Sequence, residues 1–212
     1  MILLNVRPSV SPMRWCDFVR AAPPRSIALD GFVKAGPSFR PTGPYANFNH
    51  HEQVSRLETR ATCAQVLIAV RQGLFGAFKD EKGNPSASLF VNDCDEDVSL
   101  SVFILQNRHL VEGVINPMLN RLVFMEDMLD TTGGAYGFPS DMPSLQALMW
   151  VFEPYHRFRV SGGLDKRVTP DFESVITDVG IRIQSYITGS GRHLELDTRY
   201  EKIGGGRGWT MV

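Results

Sequence analysis

The chain has 212 residues, with 22 basic and 23 acidic side chains and a formal net charge of -1. That length suits one α/β domain with a full core, and the balanced charge excludes bulk electrostatic capture of nucleic acid while leaving room for a local basic groove. With three cysteines in no Cys-x-x-Cys pair and no apolar run near ~20 residues, neither a disulfide framework nor a membrane span is expected, and the chain reads as soluble and cytoplasmic.

Residues 1–25 read as an N-terminal extension with a short helix over Met13–Ala21, capped by Ser11 with Pro12 at its first position. Arg25–Leu29 predicts a buried strand that ends on Asp30 and turns at Gly31. Residues 34–47 carry five Gly and Pro residues and predict a loop, which delivers the chain to Asn49-His50-His51-Glu52. From Ser55 to about Gly73 the apolar spacing is helical, which would put Arg56 and Arg60 on one helix face. Ala87–Val91 predicts a second buried strand, which runs into Asn92-Asp93-Cys94-Asp95-Glu96-Asp97 and then a helix over Val98–Asn107. Helices are predicted within 108–130 (broken at Asn116-Pro117), at Leu145–Phe152 and at Phe172–Tyr186.

The alternation of strand, polar loop and helix argues for an α/β fold: a mostly parallel sheet flanked by helices. The tail predicts a C-terminal β-hairpin around Gly204–Gly206. The domain reading is therefore 1–25 extension, 26–190 α/β domain with the polar site, and 191–212 hairpin, or the opening of a region cut short.

In open parallel sheets ligands sit beyond the carboxyl ends of the strands. Asp30 and the Asp93–Asp97 segment lie at such ends, and His50 and His51 precede a helix, so these side chains are grouped as one polar site. Three aspartates within five residues repel unless a cation or solvent compensates them. An EF-hand is excluded, because counted from Asp93 no Gly stands at position six and no Glu at twelve. Adjacent histidines in a loop suit metal ligation or proton transfer. Solvated turns and helix capping are the structural alternatives for both segments.

Phe48-Asn49-His50-His51-Glu52 resembles the Asp-His-His signature of the DHH phosphoesterase family, with Asn49 in place of the aspartate. Asp93, Asp95, Asp97 and Ser101 are similar to that family's acidic signature, with Val91 where its histidine stands. Leu29-Asp30-Gly31 and Leu129-Asp130-Thr131-Thr132-Gly133 are similar to its remaining aspartate elements. Here the acidic segment follows the His pair, whereas in the family it precedes it.

The resemblance implies two Mn²⁺ or Mg²⁺ ions held by Asp30, His50, His51, Asp93, Asp95, Asp97 and Asp130, with Asp30 or Asp97 as the bridge. It implies a metal-dependent hydrolase acting on a nucleotide, an oligonucleotide or polyphosphate. The partner would be a phosphate-containing small molecule or a short nucleic acid. His50 and His51 would be the catalytic residues, and Arg56 and Arg60 would bind phosphate oxygens through their planar forks. The alternatives are a degraded site that binds a nucleotide or metal without turnover, and an interaction module whose loops are only polar turns. If Asn49 is a lost ligand, Asn49→Asp should strengthen metal binding.

Overall fold

The computed structural model describes residues 1–56, 58–135 and 138–194, together with the backbone of strands 204–206 and 209–211. The strands are β1 (Ile2–Val6), β2 (Ser26–Leu29), β3 (Ser38–Arg40), β4 (Tyr45–Phe48), β5 (Ala87–Val91), β6 (Gly204–Gly206) and β7 (Trp209–Met211). The helices are α1 (Trp15–Ala21), α2 (Thr62–Arg71), α3 (Leu74–Ala77), α4 (Glu96–Gln106), α5 (Pro117–Thr131), α6 (Pro143–Val160), α7 (Gly163–Lys166) and α8 (Thr169–Ile187). One sheet has the order β1-β5-β2-β4-β3, parallel except for β3, and β6 pairs antiparallel with β7. This is the expected α/β architecture with a C-terminal hairpin. The rest of the tail, residues 195–203, 207–208 and 212, lies outside the described residues.

Strand alternation divides the core in two. Ile27, Leu29, Ala46, Leu89 and Val91 face the large cluster shared with α2, α4, α5, α6 and α8. Ala28, Tyr45 and Phe90 face a smaller one, where Phe18 of α1 packs against Phe32, Tyr45 and Phe90. α4 is buried from Asp97 to Leu105, so it runs through the interior of the helical layer. α8 buries Phe172, Val175, Ile176, Val179, Ile183 and Tyr186, one stripe at helical spacing.

Several expectations are corrected. Residues 2–6 are not part of an extension: they pair in register with β5, from Ile2 opposite Ala87 to Val6 opposite Val91. The segment 34–47 is not all loop, because it forms β3 and most of β4. Buried Asn47 breaks the apolar pattern there, and its Nδ2 is satisfied by donating to the carbonyls of Ala35 and Gly36. The helix expected from Ser55 begins only at Thr62, and the preceding segment is turns and bends. The helix expected at Leu145–Phe152 extends to Val160 through Pro154. Proline cannot donate to the carbonyl four residues back. That carbonyl, of Trp150, instead accepts from Arg182 Nη1 of α8 at 2.6 Å, while Arg182 Nη2 binds Glu153 at 2.7 Å.

The register puts Leu29 opposite Phe48 and Ala28 opposite Phe90. Asp30, Asn49 and Asn92, the residues that follow β2, β4 and β5, therefore emerge along one edge of the sheet. No helix among the described residues is long and apolar enough to cross a membrane.

Candidate metal centre

Asp30 leaves β2 in a left-handed conformation, φ 44°, and Gly31 follows at φ 80°. Aspartate tolerates this region better than most residues, and such strain persists only where surrounding contacts fix it. Here the Asp30 N–H donates to the Phe48 carbonyl at 2.9 Å, and Thr62 Oγ1 donates to Asp30 Oδ1 at 3.0 Å.

The His pair is held by Asn49, which is fully buried. Asn49 Nδ2 lies 3.2 Å from the carbonyl of Val33, 3.0 Å from that of Ala35 and 3.1 Å from Glu52 Oε2. Its Oδ1 accepts the His51 N–H at 3.0 Å. Asn49 is thus an organiser of the loop, and its oxygen is used within it. An aspartate there would lose the donor and set a buried carboxylate against three acceptors, which reverses the expectation for Asn49→Asp.

Arg56 turns back onto the pair. Its Nη1 lies 2.9 Å from His50 Nδ1, 2.9 Å from the His50 carbonyl and 3.3 Å from His51 Nδ1. A guanidinium only donates, so each Nδ1 that it serves presents a lone pair, and the Nε2 of that ring carries the neutral imidazole's proton. Both Nε2 atoms face carboxylates. His51 Nε2 is 2.9 Å from Asp30 Oδ1. His50 Nε2 is 2.8 Å from Asp130 Oδ2, and 3.5 Å from both Asp30 Oδ1 and Asp97 Oδ2.

Asp97 comes from the first turn of α4 and is locked by the start of α2. Its Oδ2 accepts the Thr62 N–H at 2.7 Å and its Oδ1 the Cys63 N–H at 2.6 Å. One turn before Asp130, Asp127 accepts the Ala61 N–H at 2.7 Å. Ala61 precedes α2 and has no side chain to cap it, so the first amides of that helix are satisfied by carboxylates from α4 and α5.

The result is a cluster of Asp30, His50, His51, Asp97 and Asp130. Within it, Asp30, His50 and His51 form one group and His50, Asp97 and Asp130 another, each with its donor atoms within 4.8 Å of one another. Burial, then the charges of Asp30 and Asp130, push the Asp97 carboxyl well above the carboxylate range. Burial also acts to raise Asp130, but its contact with His50 and the charges of His50, His51 and Arg56 hold it below that range. The Asp30 carboxylate raises the His51 imidazole, against a smaller opposing effect of burial.

The residues fit a divalent cation on two counts. His50 Nε2 and Asp130 Oδ2 are buried, close together and misaligned, so neither makes a hydrogen bond. Carboxylate oxygens suit Mn²⁺ and Mg²⁺ while imidazole nitrogens suit first-row transition ions, so the mixed donor set fits Mn²⁺ better than Mg²⁺. Ligation at an Nε2 requires its proton to leave or to move to Nδ1. Arg56 can accommodate that shift, because it already reaches the His50 carbonyl and, through Nη2 at 3.4 Å, the Asp130 carbonyl.

Asp93 and Asp95, expected as ligands, are not in either group. Asp95 caps its own helix, accepting the Val98 N–H at 2.8 Å, and Asp93 accepts the Cys94 N–H at 2.7 Å. Burial raises both carboxyls, Asp95 well above the usual range. With Asp30 and His51 they line a cavity of about 690 Å³ beside the cluster. Arg56 and Arg60 do not share a helix face. Arg60 pairs with Asp127, its Nη2 2.6 Å from Oδ2, while Arg56 serves the imidazoles. Asp127 and Thr62 were not foreseen as site residues. The available signals were the spacing of Asp127 three residues before Asp130, and a hydroxyl at the start of the helix that follows the His pair.

Compared with protein-family models, curated proteins and solved structures, the chain has no match.

Proposed function

We propose that the chain is a metal-dependent phosphohydrolase whose substrate is a nucleotide, oligonucleotide or polyphosphate. The observation that carries this reading is the convergence of His50, His51, Asp30, Asp97 and Asp130, with a buried nitrogen and a buried carboxylate oxygen left without hydrogen bonds. Those five residues would hold one or two Mn²⁺ or Mg²⁺ ions; Asp30 Oδ1 lies 3.5 Å from His50 Nε2 and 2.9 Å from His51 Nε2. Bound divalent ions supply Lewis acidity to phosphate oxygens and make water acidic enough to attack.

The protein's own groups do the rest. Asp97, fixed by two backbone amides, gives the cluster a rigid wall. Arg56 turns both Nε2 atoms toward the carboxylates. His51, with 42% of its side chain exposed, borders the cavity together with Asp30, so substrate would reach the cluster from that side. A second reading, binding without turnover, draws support from the hold of Arg56 on both imidazoles, which favours the metal-free arrangement.

Calorimetric titration with Mn²⁺, followed by hydrolysis of bis(4-nitrophenyl) phosphate, tests the proposal. Saturable binding and Mn²⁺-dependent turnover are expected in the wild type, and both should be lost in Asp130→Ala. Absence of Mn²⁺ and Mg²⁺ binding would overturn the metal reading, and binding without turnover of any phosphodiester or phosphoanhydride would select the second.

A further inference from the structure

A second cavity, of about 360 Å³, opens on the sheet face turned away from the helical layer. Strand alternation puts Asn5 of β1 and Phe90 of β5 on that face, opposite each other in register, while their neighbours Val6, Leu89 and Val91 go to the large core. The cavity is walled by phenylalanines. The Phe18 ring lies 6.0 Å from Phe32 and 5.5 Å from Phe90, and Phe32 lies 5.6 Å from Phe90. Phe18 and Phe32 are buried, and Phe90 is half-buried. Beside Phe90, Asn5 Nδ2 donates to the Leu89 carbonyl at 3.1 Å. A carboxamide has two N–H donors and an acceptor oxygen, so its second N–H and its Oδ1 remain for another partner. This cavity adjoins the one beside the metal cluster, because Val10 borders both. Pro12 and Gly31 line the first, and Met13 and Phe32, next in the chain, line the second. The Met13 N–H donates to the Phe32 carbonyl at 3.3 Å and the Met13 carbonyl accepts the Lys34 N–H at 2.7 Å, so the partition is tied backbone.

We propose that the phenylalanine-walled cavity binds a nucleobase, with Asn5 contacting the edge of the base and the sugar passing Val10 toward the metal cluster. The phosphate half of this placement rests on the phosphohydrolase reading; the base half does not. Aromatic side chains hold planar rings by offset stacking or edge-to-face contact, and every base offers a π-face for it. An adjacent donor and acceptor on a carboxamide match the same pair on an adenine edge. The volume falls within the range of small-molecule pockets, and so does the pattern of apolar walls with one polar side chain. Of the substrate classes the metal centre leaves open, polyphosphate has no use for phenylalanine walls. The cavity therefore selects a nucleotide or oligonucleotide.

The test is calorimetric titration of the metal-free protein with adenosine, and of the Mn²⁺-loaded protein with adenosine 5′-monophosphate and with ribose 5-phosphate. Adenosine should bind without metal, and in Mn²⁺ the monophosphate should bind about tenfold more tightly than ribose 5-phosphate. Phe90→Ala should weaken adenosine binding about tenfold, the usual scale for loss of one stacking ring. Asn5→Leu, similar in size and outside the core, should weaken it by a similar factor and keeps the test open if Phe90→Ala does not fold. Failure of adenosine to bind the wild type, or undiminished binding in Asn5→Leu, would overturn the proposal. Equal binding of the monophosphate and ribose 5-phosphate would overturn it too, since the base would then lie elsewhere. Adenosine binding that is lost in both variants, without turnover of any phosphodiester, would remove the hydrolytic reading and leave the base site standing.

Discussion

In Asn49–Glu52 every polar side chain works across the loop: Asn49 ties the backbone, and both imidazoles reach carboxylates on other elements. In Asp93–Asp97 only the last of the three aspartates does so, while Asp95 closes the first turn of its own helix and Asp93 its own bend, and Glu96 meets His156 of α6 at 3.3 Å. The two segments are equally polar as text. They differ because a helix start consumes carboxylates locally, whereas an irregular loop with a buried amide at its base has no local use for imidazoles.

Substitutions along the acidic segment break this comparison most severely. Asp97→Ala should cost about 3 kcal/mol, since it leaves two buried amides of α2 without acceptors, and should abolish the stabilisation by Mn²⁺. A Mn²⁺-dependent rise in melting temperature in that variant would remove Asp97 from the site. Asn49→Asp should cost about 2 kcal/mol by chemical denaturation and bind Mn²⁺ no more tightly than the wild type. Tighter binding would make position 49 a ligand after all. Asp95→Ala should cost about 1 kcal/mol, the usual value of an N-cap, with its Mn²⁺ titration retained. Loss of that titration would return Asp95 to the ligand set.

The smallest effect is on pH dependence. In the metal-free protein the His51 imidazole is raised by Asp30, and the Glu96 carboxyl is raised by burial to about 7. Both groups hold protons more tightly folded than unfolded, so each contributes stability below its unfolded value that is lost as pH rises through the folded one. For Glu96 that window runs from ~4.3, the ordinary glutamate value, to about 7, and for His51 it starts at ~6.5. The melting temperature of the metal-free protein should therefore fall with rising pH, and the upper part of that fall should flatten in His51→Gln. An unchanged profile in that variant would show that His51 does not share a proton with Asp30.

The fold was legible where pattern is local. Ser26–Leu29 and Ala87–Val91 read as buried strands, and Asp30 as a strand end, because continuous apolar runs and a following Gly need no tertiary partner to be recognised. β4 was hidden by Asn47, a buried polar residue whose partners are loop carbonyls that no periodicity marks. The start of α2 was misread by seven residues because apolar and helix-forming residues continue upstream, while the group that ends the helix lies on α4. α6 continues past Phe152 because the guanidinium of Arg182 on α8 takes the Trp150 carbonyl that Pro154 leaves without a donor. Of the candidate site, the five clustered side chains were all anticipated. Their division from Asp93 and Asp95, and the true posts of Arg56 and Arg60, were set by contacts between elements.

The borrowed caps of α2 have a consequence for assembly. A helix whose first two amides, and that of the residue before it, are satisfied from two neighbours cannot close its leading turn until those neighbours have docked. The Asp97 and Asp130 side of the cluster should therefore be set only when α2, α4 and α5 are joined. The Ala61, Thr62 and Cys63 amides should then exchange with solvent only when that three-helix unit opens. Their exchange rate would serve as a clock for the integrity of the site.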